Sequence, residues 1–93
     1  MIRFAWDKAK NVGNIRKHGI DFADAIDVFN HPVLSLLDDR EDYSEERWVA
    51  IGWMQSLVGV VVYTERDGDL IRIISARKAT TNEVRRYEQV IKN

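Results

Sequence analysis

The chain has 93 residues, 45% hydrophobic and 31% charged, with a net charge of -1; that is an ordinary globular composition, enough for one modest core and too little for two. No apolar run approaches the roughly 20 residues of a membrane helix, the start MIRFAWDKAK lacks a secretory pattern, and the absence of cysteine excludes disulfides and thiolate metal sites, so one cytoplasmic domain over residues 1–93 is expected. The small net charge hides a segregation of +4 in residues 1–20, -8 in residues 21–46 and +3 in residues 47–93, which excludes a uniformly basic nucleic-acid binder but allows one basic and one acidic face.

In chain order, Ile2 to Trp6 reads as a short strand with Ile2, Phe4 and Trp6 on one side. Asp7 is a natural N-cap for a helix through Lys17 that ends at Gly19. Ala9, Val12 and Ile15 form its expected inner stripe, leaving Lys8, Lys10, Asn14 and Lys17 outward. Asp21 caps a second helix on which Phe22, Ala25, Ile26 and Phe29 recur at helical spacing, and Pro32 stops it. Strands follow at Val33–Leu37, Arg47–Met54 and Leu57–Thr64, the last nearly all apolar and β-branched as a central strand would be. Between the first two lies the acidic run DDREDYSEE, an exposed connection; Gln55-Ser56 makes a turn, and Asp67-Gly68 a tight hairpin into Leu70–Lys78. The expected fold is α+β: an antiparallel sheet of about four strands plus the short N-terminal strand, two N-terminal helices and one C-terminal helix.

The stretch Leu70–Tyr87, LIRIISARKATTNEVRRY, concentrates the chemistry. A strand delivers Arg72 and Arg77, and Thr80 with Glu83 three residues on forms a capping box that opens the last helix. Val84, Tyr87, Val90 and Ile91 make that helix's apolar stripe, with Arg85 and Lys92 outside it. Cations beside a helix start suit a phosphate. Arginine is the best phosphate clamp because its planar fork donates two hydrogen bonds at once. Arg72 and Arg77, however, are five residues apart and fall on opposite faces of a regular strand, so they share a site only if a bulge or a strand end intervenes.

The words FAWDKAKNVGNIRKHGIDF, EERWVAIG and RIISARKATTNEVRRY resemble the BrnT family of bacterial type II toxins over nearly the whole chain, through WD…K…N..KHGI.F and R.ISAR.A…E...Y. The resemblance implies a RelE-like fold and metal-independent endoribonuclease activity, with RNA as substrate and no cofactor. It also implies a cognate ribbon-helix-helix antitoxin that neutralises the toxin in a heterotetramer and represses the operon, so that operator DNA is met only through the antitoxin. It places Arg72 and Arg77 in the R.ISAR word and favours a site role for Glu46-Arg47.

The candidate catalytic residues are therefore Arg77, Arg72, His18, Lys17, Glu46 and Arg47. His18 is the best group for proton transfer near neutral pH; Lys17 serves phosphate binding or proton donation; Glu46 is a candidate base or an orienting partner for Arg47 or Arg77. Lys78 and Tyr87 are candidates for substrate binding, Tyr87 by stacking a base as against sitting at the core rim. His31 reads as a surface residue, Ser75 lacks the partners of a nucleophile, and no metal-ligand spacing occurs. The alternative is a non-enzymatic module that binds a partner or RNA.

Overall fold

The computed structural model describes residues 1–40, 42 and 44–91, so the acidic connection is described only in part and Lys92 lies outside the described residues. The elements run β1 (Arg3–Trp6), α1 (Lys8–His18), α2 (Phe22–Ala25) continuing as a 3-10 helix (Ile26–Asn30), β2 (Leu34–Asp38), β3 (Arg47–Met54), β4 (Leu57–Arg66), β5 (Leu70–Lys78) and α3 (Thr81–Ile91).

Five strands form one sheet in the order β1-β5-β4-β3-β2. The four later strands pair antiparallel, β3, β4 and β5 through short turns and β2 through the acidic connection, but β1 pairs parallel to β5. The sheet is thus mixed, which corrects the antiparallel expectation. A strand whose sequence neighbour is a helix has no turn to fix its partner or its direction, so β1 goes where Phe4 and Trp6 can be buried. Phe4 meets Phe29 at 5.5 Å between ring centroids, and Trp6 meets Phe22 edge-on at 6.2 Å.

The helices, too, divide between the two faces. Phe22, Ala25 and Val28 of the second helical segment are fully buried against Ala50, Val61, Ile73 and Ala76 on one face. Their spacing of three is that of the tighter 3-10 helix the segment becomes. α3 lies on the other face, where Val84, Tyr87 and Ile91 cover Ile51, Val58 and Val60.

α1 overturns the amphipathic reading. Val12 and Ile15 are 52% and 41% exposed, whereas Asn14 is buried at 7%. Its carboxamide donates to the carbonyls of Ala76 and Ile20, each at 2.9 Å, and accepts from the Ala76 N–H at 3.1 Å. β1 pairs with β5 only as far as Ile73, so farther along that edge the backbone of Ala76 needs another partner. The Asn14 side chain supplies it, standing in for a strand. Asn11 ties the same face of α1 to Asp21 and to the Phe22 N–H. Helix α1 is thereby held by amide hydrogen bonds in place of an apolar stripe.

Candidate active site

Because α3 covers only one end of its sheet face, the remainder of that face is the floor of a cleft of about 760 Å³, within the usual range of small-molecule and substrate pockets. The floor is aliphatic: Leu36, Val49, Ile51, Val60 and Val62, with Ser75 beside them. Lys17 and His18 stand on one rim, at the C-terminal end of α1, and Arg77, Asn82, Glu83 and Arg86 on the rim formed by β5 and α3, while Leu37, Asp38, Asp39 and Arg40 close a third side. The Asn14 clamp fixes the two rims relative to each other, since Ala76 directly precedes Arg77.

The bulge that Arg72 and Arg77 require is present. The register of β4 with β5 shifts between Val62 and Tyr63, which pair with Ser75 and Ile73 and leave Ile74 as the extra residue. Arg72 lies opposite Thr64 and Arg77 opposite Val60. Cross-strand partners share a face, and β4 itself alternates regularly from Val60 through Val62 to Thr64. Both arginines therefore stand on the cleft face, though four β4 positions apart. By the same rule Arg47, opposite Asp38, belongs to this face near Arg72.

Arg77 carries the most informative geometry. Its Nη1 and Nη2 each donate at 2.8 Å to the two carboxylate oxygens of Glu83, and Nη1 also donates to the Lys78 carbonyl at 3.3 Å. Arg3, Arg40 and Arg66 instead clasp their carboxylates through Nε and Nη2. Arg77 thus spends the far end of its fork on Glu83. The Nε–H and the second Nη2–H, which form the other donating edge, keep no partner among the described residues. The pair is half-open to solvent, with side-chain exposures of 39% and 26%.

Glu83 is fixed on its own side. Its carboxylate accepts from the Thr80 N–H at 2.8 Å while the Thr80 hydroxyl accepts from the Glu83 N–H at 3.2 Å, which is the capping box read from the sequence. The Arg77 guanidinium foremost, and the Thr80 N–H after it, hold the Glu83 carboxyl at about 2 in spite of partial burial. A group so acidic stays ionised at neutral pH and cannot serve as a base there. Lys17 and Arg86, by contrast, make no ion pair among the described residues and add net positive charge to the rims.

The remaining candidates fall elsewhere. Glu46 does not line the cleft; it lies in an adjoining acidic hollow of about 320 Å³ with Asp42 and Glu45, and Asp38 and Asp39 line both the hollow and the cleft. Lys78 is exposed and follows Arg77 onto the opposite side of the strand, beside Gly59. Tyr87 is 2% exposed and its hydroxyl donates to the Pro32 carbonyl at 2.8 Å, the place of a core residue rather than a stacking platform. His31 sits beside Asp27 at 3.3 Å, away from the cleft. Sequence reasoning overlooked Asn82, Arg86 and the hold of Glu83 on Arg77; the spacing of 82, 83 and 86 along α3 was the available signal, since residues three and four apart share a helix face. Among the described residues no group of three or more His, Asp or Glu side chains is placed to hold a metal ion, and no helix is long and apolar enough to cross a membrane.

The family profile of the ribonuclease toxin BrnT of type II toxin–antitoxin systems matches residues 6–83. The fold is similar to the 1.1 Å crystal structure of the Brucella abortus ribonuclease toxin BrnT, at 26% identity and a TM-score of 0.65, over 87% of this chain and 100% of that one. No curated protein matches the chain. The matched span includes Lys17, His18, Arg77, Asn82 and Glu83 of the cleft, and the chain belongs to the BrnT family of type II ribonuclease toxins.

Proposed function

We propose that this toxin is an endoribonuclease that cleaves RNA at the aliphatic cleft without a metal ion. The 2′-oxygen attacks phosphorus, the bond from phosphorus to the 5′-oxygen breaks, and the products are a 2′,3′-cyclic phosphate and a free 5′-hydroxyl. One proton leaves the 2′-hydroxyl and one reaches the 5′-oxygen; His18 and Lys17 at the rim are the groups that exchange them. The free edge of Arg77 donates two hydrogen bonds to the non-bridging oxygens, where negative charge grows as the phosphorane forms. Arg86 adds a second charge there. Arg72 and Arg47, farther along the same face, meet the strand of RNA beyond the scissile group.

The observation that carries this reading is the second donor edge of Arg77, without a partner among the described residues, in a cleft also lined by His18. The test is incubation of the purified protein with RNA, with and without a chelator. Chelator-resistant cleavage that leaves a cyclic phosphate and is abolished in a folded Arg77→Ala variant supports it. Retention of RNA without cleavage would leave a binding module, and full activity in Arg77→Ala would remove Arg77 from the site.

The toxin acts in the cytoplasm as a single domain and is neutralised by a cognate antitoxin of ribbon-helix-helix type. Two toxins and two antitoxins form the complex, and the antitoxin brings it to operator DNA for autorepression. Family membership supports this part, together with the cations Lys17, Arg77 and Arg86 beside an aliphatic floor, which suit an amphipathic segment carrying acidic side chains.

A further inference from the structure

We infer that Glu83 is a positioning residue for cleavage: it holds Arg77 by the Nη1–Nη2 end so that the Nε–Nη2 edge is kept for the scissile phosphate. The inference rests on the proposed role of Arg77.

A guanidinium on a flexible stem that met the phosphate alone would lose rotamer freedom with each substrate, and it would offer either of its two edges. Glu83 removes that choice. It occupies one edge with two bonds of 2.8 Å, and Lys78 O takes a further Nη1 proton at 3.3 Å. What remains to donate is one pair of parallel N–H bonds, the geometry that matches two oxygens of a phosphate. Glu83 is in turn fixed to the first turn of α3 by the Thr80 N–H. The guanidinium is thus referenced to a helix start rather than to a loop, and the carboxylate keeps its charge at neutral pH.

The alternative is that Glu83 is a brake, competing with phosphate for Arg77. The two readings differ in sign. Glu83→Gln keeps an oxygen for the capping box and one bond to Arg77, but loses the paired, charged hold. If Glu83 positions Arg77, single-turnover cleavage by Glu83→Gln falls about 10- to 100-fold while the Kd for a non-cleavable 2′-deoxy substrate stays within about threefold. Thr80→Ala separates this from a structural role: it removes the hydroxyl half of the capping box and lowers Tm by about 4–8 °C, yet leaves Arg77 clasped and the cleavage rate unchanged. In the wild-type protein, NMR of the arginine side chains should show the Arg77 Nε–H resonance moving on addition of the deoxy substrate while Nη1 stays put.

Wild-type cleavage by Glu83→Gln, or faster cleavage with tighter binding, overturns the inference and leaves the ribonuclease reading standing, provided Arg77→Ala is inactive. Movement of Nη1 as large as that of Nε–H also overturns it, and this measurement needs no variant. Should Arg77→Ala cleave at the wild-type rate, the reading of the cleft itself fails, and the role of Glu83 falls with it.

Discussion

Replacing Asn14 by alanine should destabilise this protein far more than replacing its apolar neighbour Val12. Asn14→Ala leaves the Ala76 N–H, the Ala76 carbonyl and the Ile20 carbonyl without their side-chain partner, and Ala76 is fully buried. A buried polar group stripped of its partner costs about 1–3 kcal/mol. Water reaching the less buried Ile20 end relieves part of this, so the whole amounts to about 3–5 kcal/mol. That is a large fraction of the roughly 5–15 kcal/mol that holds a small domain together, and it corresponds to a Tm lowered by at least about 12 °C. Val12 is 52% exposed, so Val12→Ala should stay within about 0.5 kcal/mol. Urea titrations of the two variants and the wild type decide the matter. If Val12→Ala costs as much as Asn14→Ala, α1 is held by an apolar stripe after all, and the amide clamp is incidental. Short of unfolding, Asn14→Ala should also slow cleavage, because the clamp ties the His18 rim to the strand that carries Arg77.

Three further outcomes are expected. The folded-state carboxyl of Glu83, at about 2 against an ordinary 4.5, contributes stability that is complete above about pH 5 and is lost as pH falls from 4.5 towards 2; discounted for partial exposure, the contribution is on the order of 1–2 kcal/mol. The stability gap between wild type and Glu83→Gln should therefore close between pH 5 and pH 2, and a gap that stays constant would show that the charge is not what stabilises. Tyr87→Phe should lose about 1 kcal/mol with its bond to Pro32 and leave RNA affinity untouched, whereas weaker RNA binding would return Tyr87 to the cleft. Gly52→Ala should cost about 1–3 kcal/mol, because its Cβ would lie 3.1 Å from Val28 Cγ2, 3.2 Å from Val33 Cγ1 and 3.3 Å from the Pro32 carbonyl oxygen; Gly59→Ala, whose three nearest contacts all belong to the flexible Met54 side chain, should cost less in the same melting experiment.

Local chemistry was legible in the sequence. Asp7 caps α1 through a bond to the Lys10 N–H, Gly19 closes it at φ 72°, Asp67 and Gly68 turn the hairpin at φ 55° and 79°, and Thr80 and Glu83 cap each other. Each depends on residues within a few positions, so spacing alone identifies it. The strands β3 and β5 follow from alternation and turn residues for the same reason, and the words shared with the BrnT family contain Lys17, His18, Arg77 and Glu83 of the cleft lining.

What the tertiary structure decided are the matters that alternation and helical period leave degenerate. Asn14 reads as a solvent-facing amide until a strand edge is brought beside it, and Val12 reads as core until no surface arrives to cover it. Arg72 and Arg77 count to opposite faces until one residue, Ile74, is bulged out of the β5 ladder. The strand β1 has no hairpin to orient it, and only the aromatic side chains it buries choose its parallel place beside β5. The cleft depends on the same long-range events: a helix that stops short of covering its sheet face, and a guanidinium on β5 clasped by a carboxylate on α3.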